Sequence, residues 1–245
     1  MLGGRRPAGR AWYVPRLNTM RIYLHHDAKV LARLVGATHP CCEGVFIGFG
    51  AAAGQPLASF ADGNPLAEEW MLDIELPGER IVCWSGTLAD ELFGDEPRTW
   101  MREGHDAFRF FCDAAAPTLV AQQRTLAFRP HVRHVLSDAQ GCVNFLRERS
   151  GQPFELAVGP ADLLTPDMLK DVEDHLRRII PALAPRAAMF LMHDAVVDGD
   201  LLRPVPLGEG CLPRDLIREL LADHAPKDLP LVLRPGSIER QLEWL

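Results

Sequence analysis

Apolar residues along the chain follow two rhythms: short unbroken runs, and longer stretches spaced three and four apart. Arg21-Ile22-Tyr23-Leu24 is a short run ending in His25-His26-Asp27, and it predicts a first strand. Val30, Leu31, Leu34 and Val35 then give residues 28–35 a helical spacing, with Gly36 as the stop. Val45, Phe46, Ile47 and Phe49 predict a second buried strand over 44–50. Residues 51–68, strewn with Gly, Pro, Asp and Asn, predict a loop. The runs 70–76 and 80–84 bracket Pro77-Gly78, which predicts an antiparallel hairpin. Ser85 then caps a helix carrying Leu88, Leu92 and Phe93.

Residues 97–124 predict a helix with Trp100, Phe108, Phe111 and Leu119 on its core face and Pro117 as a break or kink. A strand is expected over 132–136. Ser137 and Gln140 then take the capping-box form that opens a helix with Cys142, Val143 and Leu146 on its apolar face, closed by Gly151. Residues 154–158 form the next strand. Thr165-Pro166 supplies an N-cap and first-turn proline to a helix striped by Leu169, Val172, Leu176, Ile179 and Ile180, ended by Pro181. A strand over 187–197 turns at Asp198-Gly199 into a second over 200–205. A helix over 213–222, a strand over 231–233 and a helix from Ser237 complete the order.

Strand, helix, strand, helix, strand across 132–192 is the signature of parallel strands joined by right-handed crossovers. The expected fold is therefore α/β: a mixed, largely parallel β-sheet flanked by helices, with added antiparallel hairpins. Residues 20–245 are read as one domain, with the loop 51–68 as its only seam.

Composition narrows the function classes. Of 26 basic residues only Lys29, Lys170 and Lys227 are lysine, a skew that a GC-rich bacterial genome produces. The net charge is −7, yet the first twenty residues hold Arg5, Arg6, Arg10 and Arg16 with no acid, leaving −11 on the rest. A body that acidic repels phosphate backbones, which argues against nucleic-acid binding. Residues 1–19 read as a flexible basic extension, with Met20 as an alternative start, and no apolar stretch follows Arg5-Arg6 to make an export signal. No apolar run is long enough to span a bilayer. The six cysteines, Cys41, Cys42, Cys83, Cys112, Cys142 and Cys211, form no C-x-x-C pair, and a chain this long needs no disulfide staples. Buried thiols, a reducing cytoplasm and a soluble protein follow as expectations.

Candidate chemistry rests on strand ends, where ligands bind in open α/β sheets. His26-Asp27, Asp138 (beside Ser137) and His193-Asp194 fall at three of them, and imidazole with carboxylate can serve as base and orienter or as metal ligands. The bland reading is that Asp27, Asp138 and Asp194 are caps and turn formers. His105-Asp106 lies within a helix, and His131 and His134 on a strand would diverge. Asp198-Gly199-Asp200 is explained by its turn, and Asp171 with His175 by a local helix contact. No nucleotide-binding glycine motif, nucleophile elbow or H-E-x-x-H pair occurs, so no cofactor is implied. Two functions remain. The first is an accessory protein binding another protein, such as an adaptor, chaperone, immunity or assembly factor. The alternative is a small-molecule hydrolase or transferase using the strand-end His and Asp residues, with or without a divalent metal.

Overall fold

In a computed structural model of the chain, residues 20–26, 44–47, 57–78 and 80–245 are described. The expectations for residues 1–19, Asp27 and the helix over 28–35 lie outside them.

Eight parallel strands close into a barrel: β1 (Ile22–His26), β2 (Gly44–Ile47), β3 (Ala58–Phe60), β4 (Arg80–Trp84), β5 (Thr125–Arg129), β6 (Phe154–Val158), β7 (Met189–Met192) and β10 (Leu231–Leu233). Neighbours follow chain order, and β1 closes the ring by pairing with both β2 and β10 (Tyr23 opposite Gly44 and Val232). Between β7 and β10 the chain leaves the barrel to form an antiparallel hairpin, β8 (Asp194–Asp198) and β9 (Leu201–Val205). The helices are α1 (Arg102–Ala121), α2 (Ala139–Glu148), α3 (Val172–Leu183), α4 (Arg214–His224) and α5 (Ile238–Trp244). The expected largely parallel α/β sheet with an added hairpin is thus present, curled into a barrel.

Side-chain parity divides the core. Ile81 and Cys83, Leu126 and Phe128, Leu156 and Val158, Phe190 and Met192, and Leu231 and Leu233 face the helices. Val82 and Trp84, Ala127, Ala157, Met189 and Leu191, and Val232 fill the barrel interior. Strands buried on both faces read as continuous apolar runs, as parallel strands in closed barrels do. That double burial explains the first correction. The run 80–84 is no hairpin arm across Pro77-Gly78: Ile81, Val82 and Cys83 are fully buried and β4 pairs in parallel with β3 and β5.

Other departures have local causes. β3 arises inside the segment read as loop, because Ala58, Ser59 and Phe60 are all buried. Ser85 caps no helix. The backbone there is satisfied by side chains: the Asn64 amide donates to the Thr87 carbonyl and accepts from Thr87 N–H, while Leu88 N–H donates to Thr99 Oγ1. Residues 132–136 are turns, not a strand, since His134 N–H donates to the His131 carbonyl and His131 N–H to that of Leu136. The strand lies earlier, at β5. Asp138, not Ser137, caps α2, accepting from Gly141 N–H at 2.8 Å. Pro117 and Pro181 sit within α1 and α3. Each removes one helical hydrogen bond, a loss outweighed in α3 by burial of Leu176, Ile179, Ile180 and Leu183. The strand over 187–197 is two strands in different sheets, parted at His193.

Candidate active site

The inward parity of each strand, carried one step past the apolar interior, delivers polar side chains to the carboxyl end of the barrel. Ala127 is followed two residues on by Arg129, Leu191 by His193, and Val232 by Arg234; Tyr23 is followed by His25, and Trp84 ends β4. Asp162 joins them from the 3₁₀ turn Pro160–Leu163 after β6. These are the ends at which parallel barrels carry their chemistry.

Asp162 is the hub. Arg129 Nε donates to its Oδ2 at 2.7 Å and Arg129 Nη2 to Oδ1 at 2.9 Å, a bidentate pair with side chains only 8% and 3% exposed. His193 Nε2 stands 3.5 Å from Oδ1. Burial pushes the Asp162 carboxyl up, but the charges of Arg129 and His193 outweigh it and hold the group well below the usual carboxylate range. The Arg129 guanidinium also lies over the Trp84 ring, 4.2 Å from its centroid.

Both His193 ring nitrogens face acceptors, Nδ1 the Asp194 carbonyl at 3.4 Å and Nε2 the Asp162 carboxylate at 3.5 Å. Hydrogen bonding assigns the tautomers of two neighbouring histidines. His131 Nδ1 accepts from Arg133 N–H at 3.1 Å, so its Nε2 carries a proton. Burial pushes His131 down to about 4, against the pull of Asp162, and it is neutral near pH 7. His134 packs behind it and donates through Nε2 to the Leu92 carbonyl at 2.8 Å; burial, then His131, pushes it down to about 3.

Arg129, His131 and Asp162 line a pocket of about 450 Å³, within the range of small-molecule sites, and His193 and His134 lie behind its wall. One wall is Trp84 and Phe93, whose rings meet edge to face at 5.1 Å. The opposite wall is the β8–β9 hairpin, through Leu201, Arg203 and Pro204. Arg133 fastens that hairpin across the mouth, pairing with Asp200 at its tip and with Asp95 at 2.7 Å in the loop that carries Phe93. A narrow crevice below is lined by His25, Arg129, His193 and Arg234.

The sequence-derived candidates separate. His193 stands at the mouth. His26 ends β1, with only its backbone described, and Asp27 lies outside the described residues. Asp194 turns away: its buried carboxylate accepts from the N–H groups of Ala195, Gly210 and Leu212 at 2.8–2.9 Å, holding the hairpin base. Asp138 caps α2 beside a separate cleft with Leu163, Met168 and His175, which shares no lining residue with the mouth. His131 and His134, placed apart on an expected strand, meet in a turn with ring centroids 5.1 Å apart. Sequence reading missed Arg129, Asp162 and Arg234. The signal for the two arginines was a charged residue two positions after an inward-facing strand residue.

A divalent cation needs several free anionic or neutral donors. At this mouth the Asp162 carboxylate is committed to Arg129, and Arg234 adds positive charge. Among the described residues no group of three His, Cys, Asp or Glu side chains could surround an ion. The residues described there do not fit a divalent metal.

No family model matches the chain, and no curated protein does. Solved structures do match in fold. A D-tagatose 3-epimerase-like protein superposes with a TM-score of 0.62 at 9% identity, covering 92% of this chain and 94% of its own. An L-ribulose 3-epimerase gives 0.59 at 14% identity over 89% and 82%, and the mannonate dehydratase of Streptococcus suis serotype 2 gives 0.54 at 11% over 92% and 92%. The barrel is therefore similar to those of enzymes named for acting on small sugars and sugar acids. This corrects the expectation of an accessory protein with a protein partner, which rested on missing catalytic motifs. Polar side chains gathered singly from separate strand ends leave no contiguous motif to find. Among the described residues no helix is long and apolar enough to cross a membrane.

Proposed function

We propose that the chain is an enzyme acting on a small, sugar-like molecule by proton transfer at the barrel mouth, in the cytoplasm. The observation that carries this reading is the buried Asp162–His193 pair, a carboxylate oxygen 3.5 Å from an imidazole nitrogen, with Asp162 lining the pocket. The pair serves as the general base: Asp162 faces the pocket, and a proton taken there is shared between its Oδ1 and His193 Nε2, 3.5 Å apart. Arg129 fixes Asp162 in place, a positioning role through its bidentate bond. His131 presents a neutral imidazole whose Nε2–H polarises a substrate carbonyl or hydroxyl oxygen; a neutral donor does this without surrendering its proton. The aromatic wall of Trp84 and Phe93 shields the reacting carbon from water. It keeps the small-molecule enzyme of the sequence analysis, expected there as a hydrolase or transferase, with Asp162 in place of Asp194. The cytoplasmic location rests on the cysteines among the described residues, Cys83, Cys112, Cys142 and Cys211, all of them unpaired.

The test is hydrogen exchange from solvent into carbon-bound positions of a panel of ketoses, aldonates and sugar phosphates, followed by proton NMR in D₂O. The reading expects exchange on at least one compound, reduced about a hundredfold or more in His193→Gln. Equal exchange in the variant would remove His193 from the chemistry.

A further inference from the structure

Charges at the mouth do not cancel. The pocket is lined by Arg129, Arg203 and Arg234 against Asp162 and Asp198. Arg129 is matched to Asp162, and Arg203 Nε to Asp198 at 3.1 Å. Arg234 is left over: among the described residues its guanidinium has no hydrogen bond or ion pair. It is half-buried just past the end of β10, and it lines, with Arg129, both the pocket and the crevice beneath it. Burial, then the charge of Arg129, pushes it below the usual arginine range. Two guanidinium groups lining one pocket, with a single buried carboxylate between them to match the charge, are costly unless an anion joins them.

We infer that Arg234 docks the anionic group of the substrate, a carboxylate or a phosphate monoester, while the carbon skeleton lies along Trp84 and Phe93. The inference rests on the mouth being the active site and adds the substrate class. Anion and base then share one cavity: Arg234 and Asp162 both line the pocket, so an oxyanion held by the guanidinium places its neighbouring carbon toward the Asp162–His193 pair. A guanidinium fork suits either oxyanion, because both present two coplanar acceptors. The His131 Nε2–H completes the set of donors.

Calorimetric titration of the full chain tests this with D-gluconate, D-glucose 6-phosphate and D-glucose at constant ionic strength, in wild type, Arg234→Gln and Arg234→Lys. At least one of the two anions binds about tenfold or more tightly than D-glucose, and the stronger of the two identifies carboxylate or phosphate as the preferred group. Arg234→Gln weakens that anion about ten- to hundredfold, and Arg234→Lys recovers part of the loss. Melting temperatures measured alongside show that the variants are folded. Equal binding of all three probes, or anion binding unchanged in Arg234→Gln, overturns the inference, as does the absence of binding by both anions. The hydrogen-exchange assay separates this from failure of the parent reading: His193-dependent exchange on a neutral sugar would leave the active site standing and remove only its anion specificity.

Discussion

Removing the Asp162 carboxylate isolates the physical basis of the site. Asp162 and Arg129 have side chains 3% and 8% exposed and share two hydrogen bonds of 2.7 and 2.9 Å. Asp162→Ala leaves a guanidinium buried against Trp84 without its counter-charge, and breaking one partner of a buried pair costs about 3–5 kcal/mol. For a chain of this length that is a fall in melting temperature of roughly 6–20 °C. Replacing both partners with apolar residues, Arg129→Met with Asp162→Leu, removes the stranded charge and costs far less than the two single losses together. Urea denaturation of wild type, both singles and the double gives the coupling directly, and the account expects about 2 kcal/mol or more. A loss below about 1 kcal/mol for Asp162→Ala would refute the reasoning, because such a pair would behave as a solvent-screened surface contact.

Gly159→Ala tests the seat of the pair: its Cβ would stand 2.4 Å from Asp162 Oδ2 and 2.5 Å from His193 Nε2, at a backbone φ of −110° open to any residue. Overpacking costs about 1–3 kcal/mol, and hydrogen exchange on the substrate falls far more than stability does. Acid sensitivity follows from His131 at about 4 and His134 at about 3. The unfolded chain binds a proton at each near pH 6.5 and the folded chain does not, so stability is full above that value and falls as the pH drops toward 4 and then 3. The loss is roughly 2 kcal/mol per histidine by pH 5, and urea midpoints that do not change between pH 7 and 5 would contradict it. Asp194→Asn weakens the cap on the N–H groups of Ala195, Gly210 and Leu212 and costs about 1–3 kcal/mol, yet leaves exchange per folded molecule within about twofold of wild type. Arg133→Ala unfastens the hairpin from Asp95 at a cost of about 1 kcal/mol or less, read as faster amide exchange over 196–203.

The legible parts of the fold were those where a local pattern and the tertiary environment agree. β6 and β10 lie where their apolar runs put them, and the Asp198-Gly199 turn joins β8 to β9 as its φ > 0 glycine requires. β4 was misread because Pro77-Gly78 offers a turn and a chain cannot show locally that Ile81, Val82 and Cys83 are buried on both faces. β5 is passed over for the segment 132–136, whose His134, Val135 and Leu136 are buried by loop contacts and not in a ladder. The site suffered most from this slip. With the strand moved to 132–136, Asp138 appeared to be at a strand end and Arg129 did not. Asp162 could not be found by parity at all, since it reaches the mouth from a 3₁₀ turn. His193 was legible because the strand before it ends where the interior apolar positions end.

A crystal structure of the chain with the best-binding compound from the exchange and calorimetry panels tests the central claim most directly. The expected result is the ligand in the barrel mouth, an anionic oxygen about 3 Å from the Arg234 guanidinium and a carbon-bound hydrogen facing the Asp162–His193 pair. Density instead in the cleft beside Asp138, Met168 and His175, with the mouth unchanged, would contradict it.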